Sequence, residues 1–307
     1  MEKFSKSLKL MGNQFTITVV SEDPFFAEEN ITAAVTEIQR IEKLFTTYSA
    51  TSQTHLINEN AGIQPVKVDL EVYHLIERSL QISKITQGAF DISYGSLDKS
   101  LWNFDTQMTQ LPTKETALKM VHLVNYQNII LDAANQSVFL KEKGMRIGFG
   151  GIGKGYAAEM SKKVLVKNGV KSGIINASGD LTAWGTQPNG KPWTIGIANP
   201  DLPQNAFSYL EISDKAIATS GNYEKYVLID GKKYSHTIDP KTGFPITGIK
   251  SVTVISPNAE FADAMATPIA VMGIENGLFL VNQIPHLHCI IIDDYNKIYT
   301  SKNINLT

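Results

Sequence analysis

The feature that most limits how this chain can fold is the crowd of short β-branched segments in its C-terminal half, each closed by Gly, Asn, Asp or Pro within a few residues. Residues 173–176, 193–198, 208–212, 216–219, 226–229 and 251–255 read as strands, and 288–293 with 297–300 reads as a hairpin around Asp294-Tyr295-Asn296. So many strands with so little helix between them exclude regular βαβ alternation and point to antiparallel pairing. Earlier, residues 13–20 alternate like a strand, and 128–131 and 137–140 flank a turn at Asp132-Ala133-Ala134-Asn135. Helical spacing appears in 30–48, where Ile31, Val35, Ile38, Ile41, Leu44 and Phe45 recur at three and four, and again in 70–86 through Val72, Leu75, Ile76, Leu80 and Ile82. Further helices are expected at 156–168, stopped by Gly169, and at 261–272 and 274–284. The expected fold class is α+β, mostly antiparallel sheets packed with helices. It is read as one domain over 1–307, or two intimately packed lobes, because no linker or internal repeat divides it.

Composition narrows the function. The 307 residues carry 28 Lys+Arg against 30 Asp+Glu, a net charge of −2, so no general excess of cations is offered to a nucleic acid. Cys289 is the single cysteine, which rules out an internal disulfide and any cysteine-rich zinc or iron–sulfur centre. Residues 1–10 have no apolar signal core, and no apolar run is read as approaching the length of a membrane span, so no transmembrane segment is expected.

Four segments could carry chemistry. Gly148-Phe149-Gly150-Gly151-Ile152-Gly153-Lys154-Gly155 follows an expected strand at 145–149 and opens a helix. Its N–H groups and Lys154 suit a phosphate, or the stretch is a plain strand-to-helix turn with a surface lysine; neither the Walker spacing nor the full dinucleotide fingerprint is present. Asn176-Ala177-Ser178-Gly179-Asp180 offers an amide, a hydroxyl and a carboxylate, or a simple Asx turn. Residues 218–223 are followed by Ser235-His236-Thr237-Ile238-Asp239-Pro240-Lys241-Thr242-Gly243, where His236 stands at a strand end and can take a proton from a hydroxyl or be structural. In Ala262-Asp263-Ala264-Met265-Ala266-Thr267, the i,i+4 spacing puts a carboxylate and a hydroxyl on one helix face, able to share a hard cation such as Mg²⁺. The plain alternative is a satisfied Asp near a helix start, or a kink, with Pro268 next in line.

Taken together and in this order, with Leu10-Met11-Gly12, Phe45-Thr46-Thr47-Tyr48 and Ser52, Gly88-Ala89-Phe90-Asp91 and Leu101-Trp102-Asn103-Phe104, these segments resemble the ApbE family, the FAD:protein FMN transferases. The resemblance covers nearly the whole chain and implies a T-fold-related architecture. It implies Mg²⁺-dependent transfer of FMN from FAD to a Ser or Thr hydroxyl of an acceptor protein, with release of AMP. Position by position, it implies FAD contacts from Met11, Tyr48, Ala89, Phe90, Asp91, Lys154 and Ile238. It further implies metal contacts from Asp263, Thr267 and the Gly151 carbonyl, and His236 as the base. Tyr48, Phe90 and Met11 are candidates for the apolar slot of the flavin ring. Where the family often has Asp-Leu before the glycine turn, this chain has Gly148-Phe149, and Pro268 follows Thr267 where a small residue is common. The alternatives are a Mg²⁺-dependent FAD pyrophosphatase using the same residues, and a non-catalytic flavin-binding protein. The expected location is cytoplasmic, the alternative being an exported or anchored lipoprotein.

Overall fold

The structure is a computed structural model that describes residues 1–101, 109–198, 206–221 and 226–304. The motif residues Trp102, Asn103, Phe104, Asn222 and Tyr223 lie outside the described residues. In chain order the elements are β1 (Glu2–Leu10), β2 (Asn13–Ser21), α1 (Pro24–Phe45), α2 (Gln53–Glu59), β3 (Val66–Lys67), α3 (Leu70–Ile85), α4 (Lys114–Met120), β4 (Ile129–Asp132), β5 (Ser137–Leu140) and α5 (Gly153–Lys167). They continue through β6 (Gly173–Ala177), β7 (Asp180–Trp184), β8 (Trp193–Ala198), β9 (Ala206–Ile212), β10 (Lys215–Gly221), β11 (Tyr226–Ile229), β12 (Lys232–Ser235), β13 (Ile249–Ser256), α6 (Ala259–Val281), β14 (His288–Asp293) and β15 (Ile298–Thr300).

Eight strands form one sheet in the order β1-β2-β6-β7-β10-β13-β14-β15, and every neighbouring pair is antiparallel. Period-two alternation gives that sheet two faces. Phe15, Ile17, Val19, Ile175, Ala177, Ala216, Ala218, Val252, Val254, Cys289 and Ile291 point into the main core, which they share with α1, α5 and α6. Ala183, Leu181, Ile217, Ile255 and Ile290 point the other way, against Trp193, Ile197 and Ile212 of the separate β8–β9 hairpin. Each fully buried aliphatic side chain of this kind contributes about 1.5–3 kcal/mol relative to exposure.

Helix α1 buries Ile31, Ile38, Ile41 and Phe45 of the predicted stripe together with Ala27 and Ala34, while Val35 and Leu44 are only half-buried against the core. It starts earlier than residue 30, because Asp23 caps it by accepting from Phe25 N–H at 2.8 Å and Pro24 sits in its first turn. Helix α5 ends at Asn168 and Gly169, whose φ of +94° requires glycine. Helix α6 is interrupted at Gly273 (φ 82°, ψ 172°), so the two expected helices exist as one kinked element.

Several expectations need correction. By length and hydropathy alone α6 could cross a membrane, contrary to the reading that no apolar run approaches that length. Its buried residues are those of a core helix, including Glu260 and Asp263. Pro268 lies well inside α6, and the non-helical residue is Gly273, so Pro268 marks neither a helix start nor the break. No strand forms at 145–149. There, side chains pair with the backbone in place of a neighbouring strand: Asn58 Nδ2 donates to the Ile147 carbonyl at 3.0 Å, Ile147 N–H donates to Asn58 Oδ1 at 2.7 Å, and Ser96 Oγ bonds Arg146 N–H and C=O at 2.8 and 2.9 Å.

Candidate active site

The glycine-rich turn delivers the chain into α5 with no side-chain cap, since Ile152 occupies the cap position. The missing acceptor comes from another helix. Asp263 Oδ2 on α6 accepts the Gly155 N–H at 2.9 Å, so the carboxylate meets the positive end of α5. The N–H group that the sequence offers to a phosphate is therefore already engaged, which corrects the expectation of an open anion cradle at that position. Such an approach is possible only because residue 155 is glycine: a Cβ there would lie 2.2 Å from the Ala259 carbonyl oxygen and 2.7 Å from Asp263 Cβ. Glu159 ties the same two helices by accepting from Ala259 N–H at 3.0 Å.

One turn along α6, Thr267 Oγ1 reaches to 3.4 Å from Ser220 Oγ on β10. Lys154, on the first turn of α5, pairs with Asp180 Oδ2, while Asp180 Oδ1 accepts the Thr219 N–H at 3.2 Å. Asp180 opens β7 directly after the two-residue turn Ser178-Gly179, both at positive φ, which Asn176 braces by accepting the Gly179 N–H at 2.8 Å. The segment is a tight hairpin turn braced by the Asn176 side chain bonding three residues on, in place of the expected Asx turn, and it also aims Asp180 at Lys154.

Asp263 and Asp180 are 6 % and 2 % exposed. Burial, and then the negative charge of Asp180, push the Asp263 carboxyl up to about 7 against the opposing pull of Lys154 and the backbone N–H groups. Burial also raises Asp180, with Lys154 opposing. Two buried carboxylates thus share the charge of one lysine, an arrangement that a cation would relieve.

His236 follows β12 and is exposed. The strand-like pairing continues past it, with Ser235 N–H bonding the Ile246 carbonyl at 3.1 Å and Ile246 N–H the Thr237 carbonyl at 3.0 Å. The turn beyond closes through Gly243, where φ is +72° and a Cβ would lie 2.0 Å from the Ala117 carbonyl oxygen of α4, so only glycine fits. His236, Gly151, Lys154, Asp180, Ser220, Asp263 and Thr267 all line one cleft of about 770 Å³. Its volume lies within the range of ligand sites.

The remaining sequence candidates stand outside that lining. Two border the glycine turn, Phe90 and Met11: a Cβ on Gly151 would lie 3.6 Å from Phe90 Cε2, and one on Gly153 would lie 3.6 Å from Met11 Cε. Met11 holds φ at +50° in the two-residue turn between β1 and β2, an uncommon backbone for a bulky residue. Tyr48 is 97 % exposed. Ala89 is buried, and Asp91 spends its carboxylate on the chain, accepting from Ser93 N–H and Oγ at 2.8 and 2.6 Å and from Tyr126 N–H at 2.7 Å. Ile238 is buried with Met120 and Val121 and donates its N–H to Tyr94 Oη at 3.2 Å.

Asp180 is the site residue that the sequence candidates omit. Its signal was present in the polar turn at 176–180, but nothing local showed that β7 would carry it to Lys154. Among the described residues no group of three or more His, Cys, Asp or Glu side chains is placed to hold a metal. A cation here would meet an all-oxygen set drawn from the Asp263 carboxylate, the Thr267 hydroxyl and the Gly151 carbonyl, with open positions left over. That chemistry fits Mg²⁺ held together with a substrate phosphate, and fits zinc poorly.

The α+β scaffold holds buried carboxylates, a lysine, a hydroxyl and a histidine in one cleft, a set of groups suited to an anionic ligand. The model of the ApbE family matches residues 11–291, and the chain belongs to that family. It is 32 % identical over 302 residues to the FAD:protein FMN transferase of Klebsiella pneumoniae strain 342, covering 98 % of this chain and 90 % of that one. It is 30 % identical to the FAD:protein FMN transferase of Escherichia coli K12 over 90 % of this chain and 80 % of that one. Among solved structures, the ApbE protein of Thermotoga maritima superposes with a TM-score of 0.87 at 29 % identity, covering 98 % of this chain and 97 % of that chain. The flavin transferase ApbE of Vibrio cholerae superposes at 0.85 with 25 % identity and the same coverage. These likenesses agree with the antiparallel α+β class expected from the sequence.

Proposed function

We propose that this chain transfers FMN from FAD to a Ser or Thr hydroxyl of an acceptor protein, releasing AMP. The acceptor oxygen forms a bond to the FMN phosphorus, the bridging P–O bond to the AMP phosphate breaks, and the hydroxyl proton passes to His236. The observation that carries this reading is the pair of buried carboxylates, Asp180 and Asp263, that share one lysine, Lys154, in a cleft that also presents His236.

Each residue has a physical task. Asp263, Thr267 and the Gly151 carbonyl would hold Mg²⁺, which when bound neutralises diphosphate charge. Lys154 adds positive potential beside the phosphates, kept in place by Asp180. His236, exposed and facing the cleft, takes the proton of the incoming hydroxyl. Met11, Tyr48, Ala89, Phe90, Asp91 and Ile238 are the proposed FAD contacts; Met11 and Phe90 border the glycine turn from which Lys154 projects.

The test is to incubate the protein with FAD, Mg²⁺ and acceptor candidates, then follow AMP together with protein-bound flavin fluorescence. AMP with labelled acceptor is the expected result. AMP with free FMN would make the chain a pyrophosphatase, and neither product would leave a flavin binder.

A further inference from the structure

The cleft extends beyond the carboxylate cluster. From the Ser178-Gly179 turn it runs onto the sheet face turned away from α1, α5 and α6, and it is bounded there by the β8–β9 hairpin. Of the proposed FAD contacts only Lys154 lines the cleft, and it stands at the cluster end, away from this arm.

The register explains why the arm has a different character from the covered part of the same face. One row across the sheet runs Ser7, Thr16, Asn176, Leu181, Ile217 and Ile255. Its apolar half, on β7, β10 and β13, lies under the hairpin. Its polar half, on β1, β2 and β6, does not join that apolar cluster, and its hydroxyls are paired in a ladder: Ser7 with Thr16 at 2.7 Å and Ser5 with Thr18 at 2.8 Å. Thr194 and Ile195 of the hairpin line the cleft opposite the sheet, Ile195 at the edge of the apolar cluster. Among the described residues lining the arm, the side chains are threonine, isoleucine, leucine, asparagine and serine, none of them ionisable. Such a lining offers nothing to neutralise a phosphate. It does offer hydroxyl and amide partners to the backbone of an extended peptide, with shallow apolar contacts between them.

We infer that the arm between the β2–β6 face and the β8–β9 hairpin receives the acceptor polypeptide as an extended, uncharged segment whose hydroxyl residue ends at His236. This rests on the transferase reading above and adds where the protein substrate lies and what its flanking sequence must be. Basic flanks are disfavoured because no lining side chain of the arm carries a charge to compensate them.

The experiment uses the full chain and an inert carrier domain bearing a C-terminal peptide with one threonine, flanked either by neutral residues or by arginines. Thr18→Arg and Ile195→Arg fill the arm without touching the carboxylate cluster, and p-benzoylphenylalanine at position 18 reports proximity without turnover. The expected result is flavin transfer to the neutral peptide, a KM for it raised about tenfold or more in both arginine variants, unchanged FAD binding, and a photo-crosslink from position 18. Transfer with KM within about twofold of the parent and no crosslink would overturn the groove and leave the transferase reading standing. Equal labelling of the arginine-flanked peptide would also overturn it. A crosslink with free FMN and no labelled peptide would support the groove as a peptide site while removing the transferase reading. Neither crosslink nor transfer would overturn both.

Discussion

Two charged cavities border α5, of about 770 and 670 Å³, and they treat charge in opposite ways. In the smaller, between α3, α5 and α6, the lining carboxylates Glu71 and Glu260 are each forked by an arginine, and Arg40, which reaches in from α1, also forks onto Glu37. Arg40 forks onto Glu71 at 2.7 and 2.8 Å, and Arg78 onto Glu260 at 2.6 and 3.1 Å, with Tyr156 Oη donating to Glu71 at 2.6 Å. Arg40 accordingly holds Glu71 below the usual carboxylate range. In the larger cavity Asp180 and Asp263 share Lys154, and both are pushed up. Paired charges of the first kind fasten four helices together, α1, α3, α5 and α6. A deficit of positive charge of the second kind is costly in the resting protein, and a bound cation and substrate compensate it.

The sharpest way to break this contrast is to delete one carboxylate from each cavity. Asp263→Ala should lower flavin transfer about 10³-fold and abolish its dependence on Mg²⁺, measured as AMP release against metal concentration. Glu260→Gln should leave transfer unchanged and cost only about 1 kcal/mol of stability, because Arg78 is partly exposed. Equal losses from both would mean that the two cavities do not differ in role. His236→Ala should come next, with transfer reduced about 10²–10⁴-fold and FAD affinity unchanged in a fluorescence titration. Transfer at the parent rate would remove His236 as the base.

How much of this was legible in the sequence follows from how local each signal is. The α1 stripe, the β14–β15 hairpin and the Gly169 stop are written in neighbouring residues, and they fold as read. The Asp263–Thr267 pair was equally legible, since i,i+4 geometry is fixed by the helix itself. What could not be read was long-range. Asp180 meets Lys154 only because β7 lies between β6 and β10, a sheet order that does not follow the chain. The missing strand at 145–149 fails for a related reason: its backbone partners are the side chains of Asn58 and Ser96, far away in sequence. Strand β1 is hard to read from sequence because Lys6 interrupts the Phe4, Leu8, Leu10 alternation and most of the strand is exposed.

A smaller effect sharpens the role of Asp180. Asp180→Asn removes one of the negative charges acting on Asp263, so the acid limb of the transfer rate against pH should move to lower pH. Lys154 loses a charged partner at the same time, lowering the rate at neutral pH about tenfold. A merely structural aspartate would lower the rate without moving the limb, so an unmoved limb would sink the coupling.

The smallest expected effect concerns stability. The Asp263 carboxyl sits at about 7 in the folded chain and near its ordinary value of 3.8 when unfolded. Between those values the native state binds more protons than the unfolded state, so stability falls as pH rises across that interval and levels off above it. The paired cavity contributes the opposite slope, because Glu71 is held low and its stabilisation is lost only as pH falls. In metal-free buffer the melting temperature should therefore drop on the order of 2–4 °C from pH 5 to pH 7.5. Asp263→Asn should flatten that drop, whereas Glu71→Gln should not. Saturating Mg²⁺ should raise the melting temperature more at pH 7.5 than at pH 5, because a carboxylate must shed its proton before it can ligate a cation. A melting temperature that rises through this window in the metal-free parent protein would show that Asp263 is already charge-compensated at rest, and the contrast between the two cavities would fail.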